Sequence, residues 1–199
     1  MNQLSPTPRL LPVIPNALSL ARLVLGLVFP WLPDSAWLWV VLAGGLTDLI
    51  DGTLSRLLNA ASVFGRILDP IADKVFVLAV VFTLVVRGAL EPWEVLLVGL
   101  RDLAVLSGAA WVVLRRAWPV LGRMPPTWLG KATTAAQFAF IVVVLLARGQ
   151  SLDRGWVLAA LTVTALLSGL AAADYIRRFI AIRRGGAEGW ADEEKRPGG

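Results

Sequence analysis

The chain has 199 residues, 57% of them hydrophobic and only 17% charged, with a net charge of +5. That is too apolar and too sparsely charged for an ordinary soluble domain, where apolar residues are nearer half and charges nearer a quarter. It holds no Cys and no His, which excludes disulfides, thiol nucleophiles, zinc–thiolate sites, imidazole bases and phosphohistidine intermediates. Acid–base chemistry therefore falls to carboxylates, lysines or the single Tyr. A pI near 10.7 would suggest nucleic acid in a soluble chain. In one this apolar it reads as attraction to anionic lipid headgroups, and no nucleic-acid partner is expected. The length fits one helical membrane domain.

Residues 1–15 are polar and rich in Pro, with Pro6, Pro8, Pro12 and Pro15. They are read as an N-terminal interfacial segment, with 9–14 lying along the membrane surface. They lack the charged n-region and small-residue cleavage site of a secretory signal. Six spans then follow, at about 17–32, 35–58, 67–87, 92–115, 131–148 and 155–180. Each is near the roughly 20 residues that a bilayer core requires. The expected fold is thus an all-α integral membrane protein with six transmembrane helices in a domain over 16–184. Residues 185–199 (G-G-A-E-G-W-A-D-E-E-K-R-P-G-G) are polar and Gly-rich and read as a disordered tail.

Lys and Arg placement sets the orientation. Arg56, Arg66 and Lys74 cluster around the junction of spans two and three. Arg115, Arg116, Arg123 and Lys131 lie between four and five, and Arg177, Arg178, Arg183, Arg184, Lys195 and Arg196 at or beyond the end of six. The opposite loops hold only Arg87, Arg148 and Arg154. By the positive-inside rule both termini are cytoplasmic, as an even number of spans requires. Trp31, Trp37, Trp39, Trp93, Trp118, Trp128 and Trp156 fall near span ends, as interface anchors do.

The stretch from Asp48 to Asp73 carries the chemistry. It reads D-L-I-D-G-T-L-S-R, eight further residues, then G-R-I-L-D-P-I-A-D-K. On a helix Asp48 and Asp51 stand at i and i+3, and Asp69 and Asp73 at i and i+4, so each pair shares a face. An Asp at the centre of a membrane helix costs roughly 2.5–3.5 kcal/mol. Four together are tolerable only if they bind a cation, and an all-oxygen set suits Mg²⁺ or Mn²⁺. The other reading is carboxylates solvated at helix ends.

The pattern D-x2-D-G-x2-S-R-x8-G-x3-D-x3-D resembles the signature of the CDP-alcohol phosphatidyltransferase family. Asp48, Asp51, Gly52, Arg56, Gly65, Asp69 and Asp73 match it, and Ser55 stands where the family has Ala. The resemblance implies a metal-dependent transferase of phospholipid biosynthesis. Such an enzyme moves the phosphatidyl group of CDP-diacylglycerol to an alcohol or lipid acceptor and releases CMP. It further implies two divalent ions, Mg²⁺ or Mn²⁺, held by Asp48, Asp51, Asp69 and Asp73, with Asp73 also the base for the acceptor hydroxyl. Gly52 and Gly65 would let the nucleotide approach the backbone or, alternatively, let helices pack closely. Ser55 would lie against the nucleotide, and Arg56 would pair with a phosphate.

Two weaker elements add to this. P-N-A-L-S-L-A-R resembles the family's P-N-x-L-T/S-x-x-R. Asn16 and Arg22 are then nucleotide or phosphate contacts, Arg22 being a candidate for the acceptor's phosphate. In the plainer reading Asn16 caps a helix and Arg22 snorkels to the headgroups. G-K-A-T-T-A-A-Q resembles G/S-K-x-K/N-T-x-x-Q, which makes Lys131 and Thr134 acceptor contacts beside Gln137, or leaves Lys131 a positive-inside residue. Arg101 in span four is an acceptor-phosphate candidate, or the ion-pair partner of Asp102 or of the Asp cluster.

Cardiolipin synthases of the CDP-alcohol type and phosphatidylglycerophosphate synthases both resemble the first ~140 residues. Glycerophosphate enzymes usually carry a second Lys where this chain has Thr133, and R-E with a further Arg where it has R-D and L-A-V-L-S-G-A-A. Fewer cations suit a phosphatidylglycerol acceptor, with glycerol 3-phosphate the alternative and inositol phosphate or serine further off. The phospholipase-D type of cardiolipin synthase needs histidines and is excluded. A divalent-cation transporter has no need of this spacing, and a non-catalytic scaffold no need of the full Asp set. A homodimer follows only from the resemblance.

Overall fold

The computed structural model describes residues 13–58, 63–116, 127–149 and 151–194, and their side chains except at 13–16, 48–58, 63–70 and 184–194. Among the described residues there are helices and no strands. The order is α1 (Val13–Val28), a 3-10 turn (Phe29–Trp31), α2 (Asp34–Leu58), α3 (Val63–Val86), α4 (Pro92–Val98), α5 (Leu100–Arg115), α6 (Trp128–Arg148) and α7 (Arg154–Glu194).

Local chemistry sets these limits. Pro30 sits in the 3-10 turn, and Leu32 is extended at ψ 149° ahead of Pro33, as a residue before Pro prefers. Gly88 takes φ +65° and closes α3. Its N–H donates to the Val85 carbonyl at 3.0 Å and the Ala89 N–H to Leu84 at 2.8 Å, a left-handed stop that Gly adopts without strain. Pro92 then opens α4 at the position where its missing N–H costs nothing. Thr127 caps α6 by accepting from Gly130 N–H at 3.0 Å, and Asp153 caps α7 by accepting from Gly155 N–H at 2.8 Å. The α7 helix runs to Glu194, taking in most of the polar stretch that composition alone leaves as a tail. A helix already formed gains one bond per added residue.

The six apolar runs of the sequence each become helix, with one correction. The fourth is not a single rod, because α4 and α5 meet at Gly99 with a bend of 69°. Among the described residues two helices are long and apolar enough to cross a membrane, Trp128–Arg148 and Arg154–Arg183, and three if the bent pair counts as one span.

The chain divides into two compact units, residues 1–91 with 144–152, and 92–143 with 153–199. In the first, α1 packs along α3 and against α2. Its buried face is Ser19, Arg22, Gly26 and Phe29, at helical spacing. On α3 the buried face is Ala72, Phe76, Val80, Thr83 and Leu84. Gly26 lies on the backbone of Phe76, and Pro30, just beyond α1, accepts from Arg87 Nη2, just beyond α3, at 3.4 Å. The two helices therefore run parallel. Trp37 is fully buried, which corrects its reading as an interface anchor. It stacks on Phe29 at 5.8 Å, its Nε1–H donates to the Leu32 carbonyl, and the guanidinium groups of Arg87 and Arg148 lie over its ring. Trp31, Trp39, Trp93, Trp128 and Trp156 are exposed, as anchors require. Trp118 lies outside the described residues.

In the second unit α5 and α7 run parallel. Arg101 meets Ser168, Gly108 meets Tyr175, and Trp111 meets Phe179 edge-on at 5.4 Å. The first part of α6 runs antiparallel to α7, with Thr133 Oγ1 donating to the Leu167 carbonyl at 3.3 Å and Thr164 Oγ1 to that of Ala136 at 3.2 Å.

Candidate active site

Three helices of the first unit carry the Asp motif and its neighbours. Asp48, Asp51, Gly52, Ser55 and Arg56 fall on α2, and Gly65, Asp69 and Asp73 on α3. Asn16 and Arg22 are on α1. Of these, the side chains of Asn16, Asp48, Asp51, Gly52, Ser55, Arg56, Gly65 and Asp69 lie outside the described residues. Asp73 is half-buried, between fully buried Ala72 and solvent-facing Lys74. Among the described residues no group of three or more carboxylates gathers.

One residue of α3 touches both neighbouring helices, its main chain against α1 and its ring against α2. Phe76 of α3 inserts between Gly26 of α1 and Gly44 of α2. A Cβ on Gly26 would stand 2.8 Å from the Phe76 Cα, and one on Gly44 would overlap the Phe76 ring. At Gly26 a side chain would press on the α3 backbone, so α1 and α3 approach too closely there for anything but glycine, whereas at Gly44 it would meet only the end of the Phe76 ring. From this contact Asp48 follows Gly44 by one turn on α2, and Asp73 precedes Phe76 by about one turn on α3.

Arg22 is only 2% exposed. It lies one turn before Gly26 on α1, as Ala72 and Asp73 lie one turn before Phe76 on the parallel helix α3. Burial rules out the snorkelling alternative, since a guanidinium reaching the headgroups is exposed. Arg22 thus belongs inside the first unit, at the level of Asp73.

In the second unit, Arg101 opens α5 just after the bend. Its main-chain N–H donates to Ser168 Oγ of α7 at 3.0 Å, and its Nη1 pairs with Asp102 Oδ1 at 2.9 Å. Among the described residues Arg101 is paired with Asp102, one of the partners expected for it. Gln137 of α6 donates to Asp102 Oδ2 at 2.7 Å and to the Val98 carbonyl at 2.9 Å. A Cβ on Gly130 would stand 3.2 Å from Arg101 Nη2, so the guanidinium crosses the first turn of α6. Lys131 is exposed at that turn. Thr134 is exposed too, with its hydroxyl donating back to Gly130 O at 3.1 Å. Thr133 is fully buried against α7.

The comparisons with known proteins identify the chain. The family model described as CDP-alcohol phosphatidyltransferase matches residues 12–171. The chain belongs to the CDP-alcohol phosphatidyltransferase family. It is 35% identical to a cardiolipin synthase (CMP-forming) of Streptomyces coelicolor over 156 residues, 72% of this chain and 68% of that protein. It is 34% identical to a CDP-diacylglycerol–glycerol-3-phosphate 3-phosphatidyltransferase of Aquifex aeolicus over 127 residues, 61% of this chain and 68% of that one. A rice (Oryza sativa) protein, CDP-diacylglycerol–glycerol-3-phosphate 3-phosphatidyltransferase 1, chloroplastic, is 36% identical over 102 residues, 49% of this chain. The chain spans 31% of the rice protein's length. No solved structure matches the chain significantly.

For this CDP-alcohol phosphatidyltransferase, the residues that sequence reasoning missed are Ser168, Gly130 and Gly44. Each is small and lies far along the chain from what it touches. Only Gly130, inside the G-K element, was within reach of a motif. Gln137, which stands in the same element, turns both N–H groups of its amide to protein acceptors.

Proposed function

We propose that this chain transfers the phosphatidyl group of CDP-diacylglycerol to an alcohol acceptor and releases CMP, and that Asp48, Asp51, Asp69 and Asp73 hold two divalent ions, Mg²⁺ or Mn²⁺. The observation that carries this is the Gly44–Phe76 contact. Outward from it, Asp48 lies four residues on along α2 and Asp73 three back along α3, while Asp51 and Asp69 each lie seven away. At 1.5 Å rise per residue the first pair of positions sits about 4.5–6 Å from the contact and the second about 10 Å. Two carboxylate positions at each of two matched levels are what a shared oxygen site for hard cations needs. Divalent ions bound there would neutralise the pyrophosphate and stabilise the departing CMP.

Asp73 is the base in this reading. It takes the proton of the acceptor hydroxyl, whose oxygen attacks the phosphorus bearing the diacylglycerol, and the bond from that phosphorus to CMP breaks. Arg22, buried at the level of Asp73, offers a bidentate donor set to a phosphate. Gly52, Ser55, Arg56, Gly65 and Asn16 contact the CDP-lipid, and Arg101, Lys131 and Thr134 the acceptor. The catalytic domain spans 16–184, crosses the membrane six times and keeps its site and both termini on the cytoplasmic side, as the basic loops suggest.

Phosphatidylglycerol is the acceptor proposed, which makes the product cardiolipin. The supporting observation is Thr133, where a second cation would be needed for a small dianion. It is 0% exposed, with its hydroxyl committed to the Leu129 and Leu167 carbonyls. Glycerol 3-phosphate is the second reading, favoured by the names of the Aquifex and rice relatives. Chelation tests the metal: excess chelator should abolish CMP release, and added Mg²⁺ or Mn²⁺ should restore it. CMP release that persists in chelator would overturn the two-ion site.

A further inference from the structure

We infer that Gln137 is a positioning residue for the anionic group of the acceptor, acting on Arg101 through Asp102. The inference rests on the reading of Arg101 as an acceptor contact.

The geometry begins at the break between α4 and α5. A 69° bend disrupts the helical pairing of the groups on either side of it. Here two helices distant in sequence take up what the bend releases. Ser168 of α7, fully buried, accepts the Arg101 N–H at 3.0 Å. Gln137 of α6 donates to the Val98 carbonyl, the last of α4, at 2.9 Å. The break is therefore held on both its sides, and Arg101 stands just after it.

The same amide then fixes the side chain. Nε2 of Gln137 gives its other hydrogen to Asp102 Oδ2 at 2.7 Å, and Asp102 Oδ1 takes Arg101 Nη1 at 2.9 Å. The carboxylate bridges an amide on one side and a guanidinium on the other. Neighbouring residues on a helix do not face one another, so Arg101 and Asp102 meet only because something holds the carboxylate over. Both side chains are about one-third exposed, 30% and 35%, and an exposed ion pair alone holds geometry weakly. The Gln137 amide, anchored at Val98, supplies the restraint. With Nη1 so held, Nη2 lies beside Gly130 at the capped start of α6, next to exposed Lys131. An anion there would meet the guanidinium beside the turn that carries exposed Lys131. A long side chain ordered before its ligand arrives loses less freedom on binding. Gln137 should therefore act on acceptor affinity and leave the CDP-lipid alone.

The test uses the full chain purified in detergent, with CDP-diacylglycerol and Mg²⁺, and measures KM for phosphatidylglycerol and, in a second arm, for glycerol 3-phosphate. Arg101→Ala should raise the acceptor KM, and Gln137→Leu should raise it about tenfold with KM for CDP-diacylglycerol within about twofold of the parent. Gln137→Glu sets a carboxylate against Asp102 and should do the same or worse. Adding Asp102→Asn to it rebuilds the bridge with donor and acceptor exchanged. The amide then at position 102 donates an N–H to the carboxylate at position 137, while its oxygen still accepts from Arg101 Nη1. That double variant should return the acceptor KM to within about threefold of the parent. A role confined to capping Val98 would show no such rescue, since a carboxylate at position 137 has no hydrogen to give the carbonyl, and absence of rescue overturns the proposal. An unchanged acceptor KM in Gln137→Leu, with a raised one in Arg101→Ala, overturns it while sparing the reading of Arg101. An unchanged KM in Arg101→Ala removes both. Should Gln137→Leu fail to fold, Asp102→Asn alone decides: with Gln137 still donating to its one oxygen, its N–H groups face the donor Nη1 of Arg101, and it too should raise acceptor KM and spare CDP-lipid.

Discussion

Gly26→Ala is predicted to damage packing and catalysis together. Its Cβ would stand 2.8 Å from the Phe76 Cα and 3.2 Å from the Phe76 nitrogen. Ordinary contact begins near 3.4 Å, so α1 and α3 must part by about 0.6 Å at that level, and backbone cannot turn aside as a side chain can. Overpacking of this kind costs about 1–3 kcal/mol. Catalysis should suffer more than stability, because α3 carries Asp69 and Asp73 one to two turns away and a misplacement near 1 Å can cost about 10²-fold. Gly44→Ala is the control. Its methyl meets only the far end of the Phe76 ring, which can shift by rotating, so its loss should be smaller in both respects. Thermal unfolding of the purified protein and the rate of CMP release from CDP-diacylglycerol read the two effects. If Gly26→Ala keeps activity within twofold, or proves milder than Gly44→Ala, the claim that α1 and α3 approach too closely at Gly26 for a side chain is wrong.

Asp73→Asn should retain metal-dependent CDP-lipid binding yet lose transfer by about 10²–10⁴-fold, the reach of general-base catalysis. Asp48→Asn or Asp51→Asn should instead weaken metal and CDP-lipid binding together. Turnover of Asp73→Asn within threefold of the parent would assign the base elsewhere. Ser168→Ala leaves the Arg101 N–H without its acceptor and should cost about 1–3 kcal/mol of stability in unfolding measurements, whereas the same change at Ser107, exposed and bonded only to Ala104 within its own helix, should cost little.

Much of the fold was legible because its punctuation is local. Pro33, Gly88 and Pro92 stop and start helices through their own backbone preferences, and the apolar runs between them are long enough to leave little choice. The break at Gly99 was not legible. One Gly within an apolar run is compatible with a straight helix, and what makes the bend tolerable is Ser168 and Gln137, contributed by α7 and α6. Trp37 was misread for a related reason. Its place near the start of a span suggested an anchor, but Phe29, Arg87 and Arg148 converge on it from three separate segments. The four Asp positions of the proposed site were read from spacing alone, and the side chains of Asp48, Asp51 and Asp69 lie outside the described residues. Thr133 was legible only as an absent cation, and the structure adds its burial against α7. Arg22 had two readings that the sequence left level, and its burial speaks against the snorkelling one without testing the other.

The most direct measurement is an acceptor panel on the purified chain with CDP-diacylglycerol and Mg²⁺. Phosphatidylglycerol, glycerol 3-phosphate, inositol phosphate and serine are each offered in turn, and CMP and the lipid product are quantified. The expected result is CMP released in step with cardiolipin when phosphatidylglycerol is offered, and neither product from the Asp73→Asn protein. CMP released in step with phosphatidylglycerophosphate would keep the transferase and move the acceptor to the second reading. No acceptor-dependent CMP with any member of the panel, from folded protein that binds CDP-diacylglycerol, would contradict the account.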